Sequence, residues 1–232
     1  IHNAWIAAVG LNAVYQAFGP DDASAFADLV NQGRTGGLRG LNVTAPFKEQ
    51  ALALADEISP VARACGSANL LLFGDGCLRA DSTDGAGLMA ALAEQAPALE
   101  VRGQTVVLLG AGGAARAAVV ALKAAGAEVG VLNRTRARAE ALAADLGVRV
   151  VEAAALAHAV LVVNALSVPP DIEMSRLRDD VVLMDMTYRP LVTPFLAQGR
   201  ERGLTTVDGL AMLIGQARPS FRALFGIEPP AL

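Results

Sequence analysis

Thr105-Val-Val-Leu-Leu-Gly-Ala-Gly-Gly-Ala-Ala-Arg116 is the stretch whose reading decides the fold. A β-branched and apolar run, Val106 to Leu109, stops at Gly110. The residues from Ala114 to Ala125 are alanine-rich and carry Val119, Val120 and Leu122. The pattern predicts a strand, a glycine turn and a helix, the order that a dinucleotide-binding βαβ unit needs. Gly110 permits the tight turn, and Gly112 lets backbone approach a pyrophosphate with no Cβ in the way. Ala115 takes the third small position of G-x-G-x-x-G/A, where helix packs on strand. The helix start adds unpaired N–H groups and the positive end of its dipole. Gly110, Ala111, Gly112, Gly113 and Ala114 are therefore the expected phosphate loop.

The next strand decides which nucleotide. Ala127 to Leu132 reads as strand and leads into Asn133-Arg-Thr-Arg-Ala-Arg138, with no acid before Glu140. NAD would call for Asp or Glu here, to hold the ribose 2′-hydroxyl. A cationic cluster suits a 2′-phosphate instead, because the planar fork of arginine pairs with phosphate oxygens. Asn133, Arg134, Thr135 and Arg138 are the expected contacts, and NADP the expected cofactor. Ordinary surface arginines at a helix start are the alternative.

The bulk composition narrows the rest. The 232 residues are 53% hydrophobic and 18% charged, which excludes a disordered chain and leaves room for two cores. A net charge of −4 gives no basic footprint for nucleic acid. No run of about 18 apolar residues suggests a membrane span, and no basic-then-apolar leader opens the sequence. Cys65 and Cys77 fit reduced thiols, and with His2 and His158 they make no metal-ligand pattern. A cytoplasmic protein acting on a small molecule is expected, with no membrane or nucleic-acid partner and no metal.

Taken in order, Ile1, Trp5, Ile6 and Val9 share a helical face that stops at Gly10. So abrupt a start leads to the expectation that a segment precedes it. Ala13 to Phe18 reads as strand, Ala23 to Gln32 as helix and Leu38 to Val43 as strand. Pro46 can open a helix from Phe47 to Ile58. Gly74-Asp-Gly76 between two apolar runs is a hairpin signal, and a helix follows from about Ala86 to Glu94. Beyond Thr105, strands are expected at Val148 to Val151, Ala159 to Asn164, Val181 to Met184 and Leu204 to Val207. Helices are expected at Thr193 to Gly203 and Leu210 to Phe225, the last interrupted at Pro219. The fold class is α/β. A substrate domain spans residues 1–95 and a Rossmann-type doubly wound domain spans 100–207, the helix from 210 to 232 packing back on the first. Alternating strands and helices imply parallel sheets, covered on both faces, in both parts.

Polar residues collect at predicted strand ends in the first part, where ligands of α/β folds gather. They are Asn42, Thr44, Lys48, Asn69 and Asp84. Asn42, Thr44 and Asp84 also suit helix capping, whereas Lys48 in a first turn opposes the helix dipole. Asn42-Val-Thr-Ala-Pro-Phe-Lys48, Asp81-Ser-Thr-Asp-Gly85, Gly110-Ala-Gly-Gly-Ala114, Asn133-Arg-Thr135 and Asp208-Gly-Leu-Ala-Met-Leu-Ile-Gly-Gln216 occur in an order that resembles shikimate dehydrogenase. Five ordered motifs spanning nearly the whole chain are far more specific than any one.

The resemblance implies a reversible NADP-linked reduction of 3-dehydroshikimate to shikimate, a step of aromatic amino-acid biosynthesis. It makes Lys48 and Asp84 the catalytic pair. It puts Asn42, Thr44, Asn69 and Gln216 on the ring hydroxyls, Tyr188 near the carboxylate and Met212 beside the nicotinamide. The family also has a strand and a two-serine loop ahead of the residues matching His2-Asn3. Leu70 and Leu166 stand where it usually has threonine, and Ser82 where it has asparagine. A quinate/shikimate or aminoshikimate relative, or a non-catalytic NADP-binding module, are the alternatives. A monomer or a homodimer is expected.

Overall fold

The computed structural model describes residues 1–231. Contacts divide the chain into two compact units: Ile1–Thr83 together with the segment from Ala217 onward, and Asp84–Gln216.

The first unit contains α1 (His2–Ala8), α2 (Ala23–Gln32), β1 (Gly40–Asn42), α3 (Lys48–Leu54), β2 (Glu57–Ile58), α4 (Pro60–Cys65), β3 (Leu70–Gly74) and β4 (Cys77–Asp81). The strands form one sheet in the order β1-β3-β4-β2. β3 pairs antiparallel with β1 and with β4, and only β2 joins parallel. The parallel sheet expected for this part is thus corrected: the Gly74-Asp75-Gly76 turn folds β3 straight back on β4, with Asp75 and Gly76 at φ 54 and 72. Phe26, Val30, Leu41, Leu71, Leu78 and Ala80 supply the core beneath it.

Three local expectations are also corrected. Ala13 to Phe18 is not a strand; Val14 and Phe18 are exposed. The Asn3 amide pairs with the N–H and the C=O of Tyr15, at 2.8 Å each, so this backbone is satisfied without a partner strand. The helix expected from Phe47 to Ile58 ends at Leu54, because Glu57 and Ile58 pair with Arg79 and Ala80. A new helix then starts at Ser59-Pro60, where Ser59 Oγ accepts from Ala62 N–H and proline takes the first turn. Pro46 does not open α3; it lies in the preceding turn, and Phe47 is the N-cap.

The second unit contains α5 (Asp84–Gln95), β5 (Thr105–Leu109), α6 (Gly113–Ala124), β6 (Glu128–Leu132), α7 (Arg136–Leu146), β7 (Arg149–Val150), β8 (Leu161–Asn164), β9 (Val182–Asp185), α8 (Pro194–Glu201) and β10 (Thr206–Val207). α9 (Gly209–Phe225) begins in this unit and runs into the first, continuous across Pro219 where an interruption was expected. All six strands are parallel, in the order β10-β9-β8-β5-β6-β7. Counted from β5 this is 3-2-1-4-5-6, the doubly wound order with its switch point between β5 and β8. Burial follows the pleat. Val106 and Leu108 enter the cluster with Leu88, Val119 and Met184, and Val107 and Leu109 enter the cluster with Leu183, Phe195 and Leu196. Both faces of the sheet are therefore covered.

Candidate active site

In the first unit two of the polar residues singled out by sequence, Asn42 and Asn69, share one network. Asn42 closes β1, and its Oδ1 accepts from the Tyr15 hydroxyl at 3.0 Å. Its Nδ2 donates to Ser220 Oγ at 2.9 Å and, more weakly, to the Asn69 carbonyl at 3.4 Å. Asn69, buried just before β3, accepts the Thr83 N–H on Oδ1 at 2.8 Å and donates through Nδ2 to Thr83 Oγ1 at 3.0 Å. Thr83 Oγ1 in turn lies 3.2 Å from Ser220 Oγ. Backbone bonds fix the frame: Val43 N–H donates to the Asn69 carbonyl at 2.8 Å, and Ala68 N–H donates to the Lys48 carbonyl at 2.9 Å. Lys48 opens α3, half-buried, and Thr44 stands exposed in the turn before it, its carbonyl taking the Phe47 N–H.

In the second unit Asp84 opens α5. The glycines behind it explain how that helix is held. A Cβ on Gly85 would lie 2.9 Å from Ala121 Cβ of α6, and one on Gly87 would lie 2.6 Å from the Met212 carbonyl of α9. Helix backbones this close leave no room for a side chain, so α5 is pinned against α6 and α9 and Asp84 has a defined position. Gln216 of α9 is half-buried, and its Nε2 donates to the Leu213 carbonyl. Tyr188 lies beyond β9 with 44% exposure, and the Arg189 guanidinium sits 5.6 Å from its ring centroid. Met212 is packed into the core cluster of this unit.

The glycine loop follows β5, at the carboxyl ends of the strands and beside the switch point. Gly110 has φ +111, and a Cβ there would meet Leu166 Cδ2 at 3.1 Å and Ala165 at 3.3 Å. Glycine is required at that turn. Gly112 and Gly113 are exposed, with nothing within 4 Å of a Cβ. Ala115, one turn on, is fully buried against the sheet. The helix caps separate two groups. Thr193 Oγ1 caps α8 and Asp208 Oδ1 caps α9. By contrast, Gly112 and Thr135, the N-caps of α6 and α7, give no side-chain cap bond. The two helices that follow β5 and β6 thus begin with N–H groups available to an anion.

At the second of these starts Asn133 Nδ2 bonds the Thr135 carbonyl and shapes the turn. Arg136 is held by Glu140 and Glu152. Arg134 and Arg138 are exposed and carry no ion pair among the described residues. An open glycine loop, two uncapped helix starts and unpaired arginines fit a dinucleotide with an additional phosphate.

The amino-terminal part matches the shikimate dehydrogenase substrate-binding domain over residues 1–71, and residues 91–168 match the shikimate/quinate 5-dehydrogenase model. A shikimate dehydrogenase (NADP(+)) of Caulobacter vibrioides is 49% identical, over 99% of this chain and 85% of that protein. The chain belongs to the shikimate dehydrogenase family. Among solved relatives, the Thermus thermophilus shikimate 5-dehydrogenase in complex with NADP(H) and shikimate superposes with a TM-score of 0.90 at 35% identity. That match covers 99% of this chain and 88% of the other. A Corynebacterium glutamicum quinate dehydrogenase in complex with NAD gives 0.89 at 30% identity, covering 99% and 89%.

Within the family frame, two departures acquire a structural setting. Leu70 is 1% exposed in β3 and Leu166 lies over the Gly110 turn, so both act as packing groups. Tyr15, Thr83 and Ser220 were not singled out by sequence. Tyr15 was hidden in a false strand. Thr83 lies inside the Asp81-Ser-Thr-Asp-Gly85 motif with no role of its own implied there, and Ser220, four residues past Gln216, gave no signal beyond a polar side chain in an apolar setting.

Proposed function

We propose that this chain interconverts 3-dehydroshikimate and shikimate with NADP. The observation that carries the reading is the similarity, over 99% of the chain, to a shikimate dehydrogenase held with NADP(H) and shikimate. The loop geometry and the Asn42–Asn69 network support it in this chain's own residues.

The starts of α6 and α7 would hold the pyrophosphate and, through Arg134 and Arg138, the 2′-phosphate, with Asn133 and Thr135 shaping that pocket. Bound NADPH supplies the hydride. As the carbonyl carbon receives it, negative charge develops on the ketone oxygen. The Lys48 ammonium stabilises that charge and delivers the proton that completes the hydroxyl. Asp84 would orient a ring hydroxyl of the substrate. Asn42, Thr44, Asn69 and Gln216 satisfy the remaining hydroxyls and Tyr188 the carboxylate end, since each hydroxyl desolvated without a partner costs about 1–3 kcal/mol.

NADP reduction assayed with shikimate and, separately, with quinate tests the substrate. Turnover with shikimate is expected to dominate; a preference for quinate overturns the assignment, and no turnover with either leaves an NADP-binding module. Lys48→Ala is expected to lower kcat by about 100-fold or more while NADP affinity stays intact. Wild-type turnover in that variant removes Lys48 from the mechanism. The enzyme is placed in the cytoplasm, as a monomer or homodimer, with Cys65 and Cys77 not joined in a disulfide. Sedimentation of the purified chain reads the latter.

A further inference from the structure

We infer that Tyr15 and Ser220 are positioning residues that fix which end of the Asn42 amide is offered to substrate. The inference rests on the proposed role of Asn42 as a substrate ligand.

The direction of the amide follows from its neighbours. The Asn69 carbonyl can only accept, so the Asn42 atom facing it is Nδ2. Oδ1 therefore faces Tyr15, which must donate, and Ser220 Oγ accepts the second amide hydrogen. Both hydrogens of Asn42 are then engaged and one Oδ1 lone pair is taken. What is left is a single acceptor position. Asn42 can meet a substrate hydroxyl as acceptor but has no hydrogen left for a ketone or a carboxylate. A flipped amide would set Oδ1 against the Asn69 carbonyl and leave Tyr15 and Ser220 to reverse their roles. At 3.4 Å the carbonyl contact is the weakest of the three, so the orientation depends mainly on the two hydroxyls.

Tyr15 is built to hold its hydroxyl still. Its N–H and C=O are both clamped by the Asn3 side chain. Its ring stacks on the buried His2 imidazole, with centroids 4.2 Å apart and planes 14° from parallel. His2 in turn meets Trp5 edge-on at 5.7 Å. Ser220 is fully buried on α9, a residue before Phe221 in the same aromatic cluster. Two rigid supports thus grip one amide from opposite ends of the sequence.

The test is a pair of cycles read on purified full-length variants. Tyr15→Phe keeps the stacked ring and removes only the donor, and Ser220→Ala removes the acceptor together with the contact to Thr83 Oγ1. Each is expected to raise KM for shikimate roughly five- to tenfold, the worth of one hydrogen bond. Neither is expected to move KM for NADP or to change kcat by more than about twofold, on the same single-bond scale. Placed in an Asn42→Ala background, Tyr15→Phe is expected to add nothing to the raised KM. An equal rise in both backgrounds, or none in the native one, overturns the inference and leaves the proposed function standing. A wild-type KM for Asn42→Ala overturns the substrate role of Asn42, and the inference with it.

Discussion

Gln95 and Asp208 exchange two hydrogen bonds of 3.0 Å, one from Gln95 Nε2 to Asp208 Oδ2 and one from Asp208 N–H to Gln95 Oε1. The other carboxylate oxygen of Asp208 caps α9 through the N–H groups of Leu210 and Ala211. One side chain therefore ties the end of α5 to the start of α9 and satisfies two helix-start donors. This is the physical reason for aspartate at the head of the Asp208-Gly-Leu-Ala-Met motif. Asp208→Ala is expected to cost about 2 kcal/mol from the lost cap and the broken pair. In a chain of this size that lowers Tm by roughly 5 °C in a thermal melt. Asp208→Asn keeps the cap and should fall between the two; an unchanged Tm for Asp208→Ala would show that the pair carries no stability.

Two glycines of the second unit separate packing from binding. A Cβ on Gly87 would lie 2.6 Å from the Met212 carbonyl and 2.8 Å from Gln216 N, both backbone atoms of α9. Gly87→Ala must push the helices apart, at a cost of about 1–3 kcal/mol. Gly112 has φ −93 and an empty surround, so Gly112→Ala costs the fold no more than about 1 kcal/mol, the difference between glycine and alanine at an N-cap. Yet its methyl would occupy the loop where phosphate approaches. Melting curves should fall further for Gly87→Ala than for Gly112→Ala, whereas NADP titration should weaken most for Gly112→Ala. Intact NADP affinity in that variant would displace the phosphate from the loop.

How far the sequence reached depends on whether a signal was local. The β5–α6 turn was legible because Gly110, Gly112 and Ala115 fall within six residues of one another, a spacing that marks the turn even though the groups Gly110 avoids, Ala165 and Leu166, lie far along the chain. β2 was not, since Glu57-Ile58 is a strand only through its pairing with Arg79-Ala80, some twenty residues on. The Ala13–Phe18 reading failed for the converse reason: a mostly apolar run was present, but Asn3 had already taken the Tyr15 backbone groups. In the candidate site, Asn42 and Asn69 stood out as polar residues at strand ends. Tyr15 and Ser220, which orient Asn42, became visible only when residues 27 and 178 positions away were placed beside it.

The three arginines at the start of α7 are not equivalent. Arg136 is already bound by Glu140 at 2.8 Å and Glu152 at 2.6 Å, whereas Arg134 precedes the uncapped helix start and has no ion pair among the described residues. Arg134→Ala should therefore raise KM for NADP by roughly 10-fold or more, the scale of a lost charged hydrogen bond. NAD should be almost unaffected, and Arg136→Ala should discriminate far less. Steady-state kinetics with both nucleotides reads the split. Equal losses for NADP and NAD would remove Arg134 from the 2′-phosphate pocket.

His2 gives the fold a pH limit of its own. Burial lowers its pKa from 6.5 to about 4, and its Nε2 has no hydrogen-bond partner among the described residues. The folded state thus favours the neutral imidazole stacked on Tyr15. With the folded value below the unfolded one, the unfolded chain binds the extra proton first. The contribution is whole above pH 6.5 and is lost as pH falls from there toward 4. Urea unfolding at pH 7 and at pH 4.5 should show this decline, superimposed on that of the carboxylates. His2→Phe keeps a ring on Tyr15 and cannot bind a proton, so its decline over that window should be shallower than that of the wild type. Parallel pH profiles for the two proteins would mean that His2 titrates alike in the folded and unfolded chains.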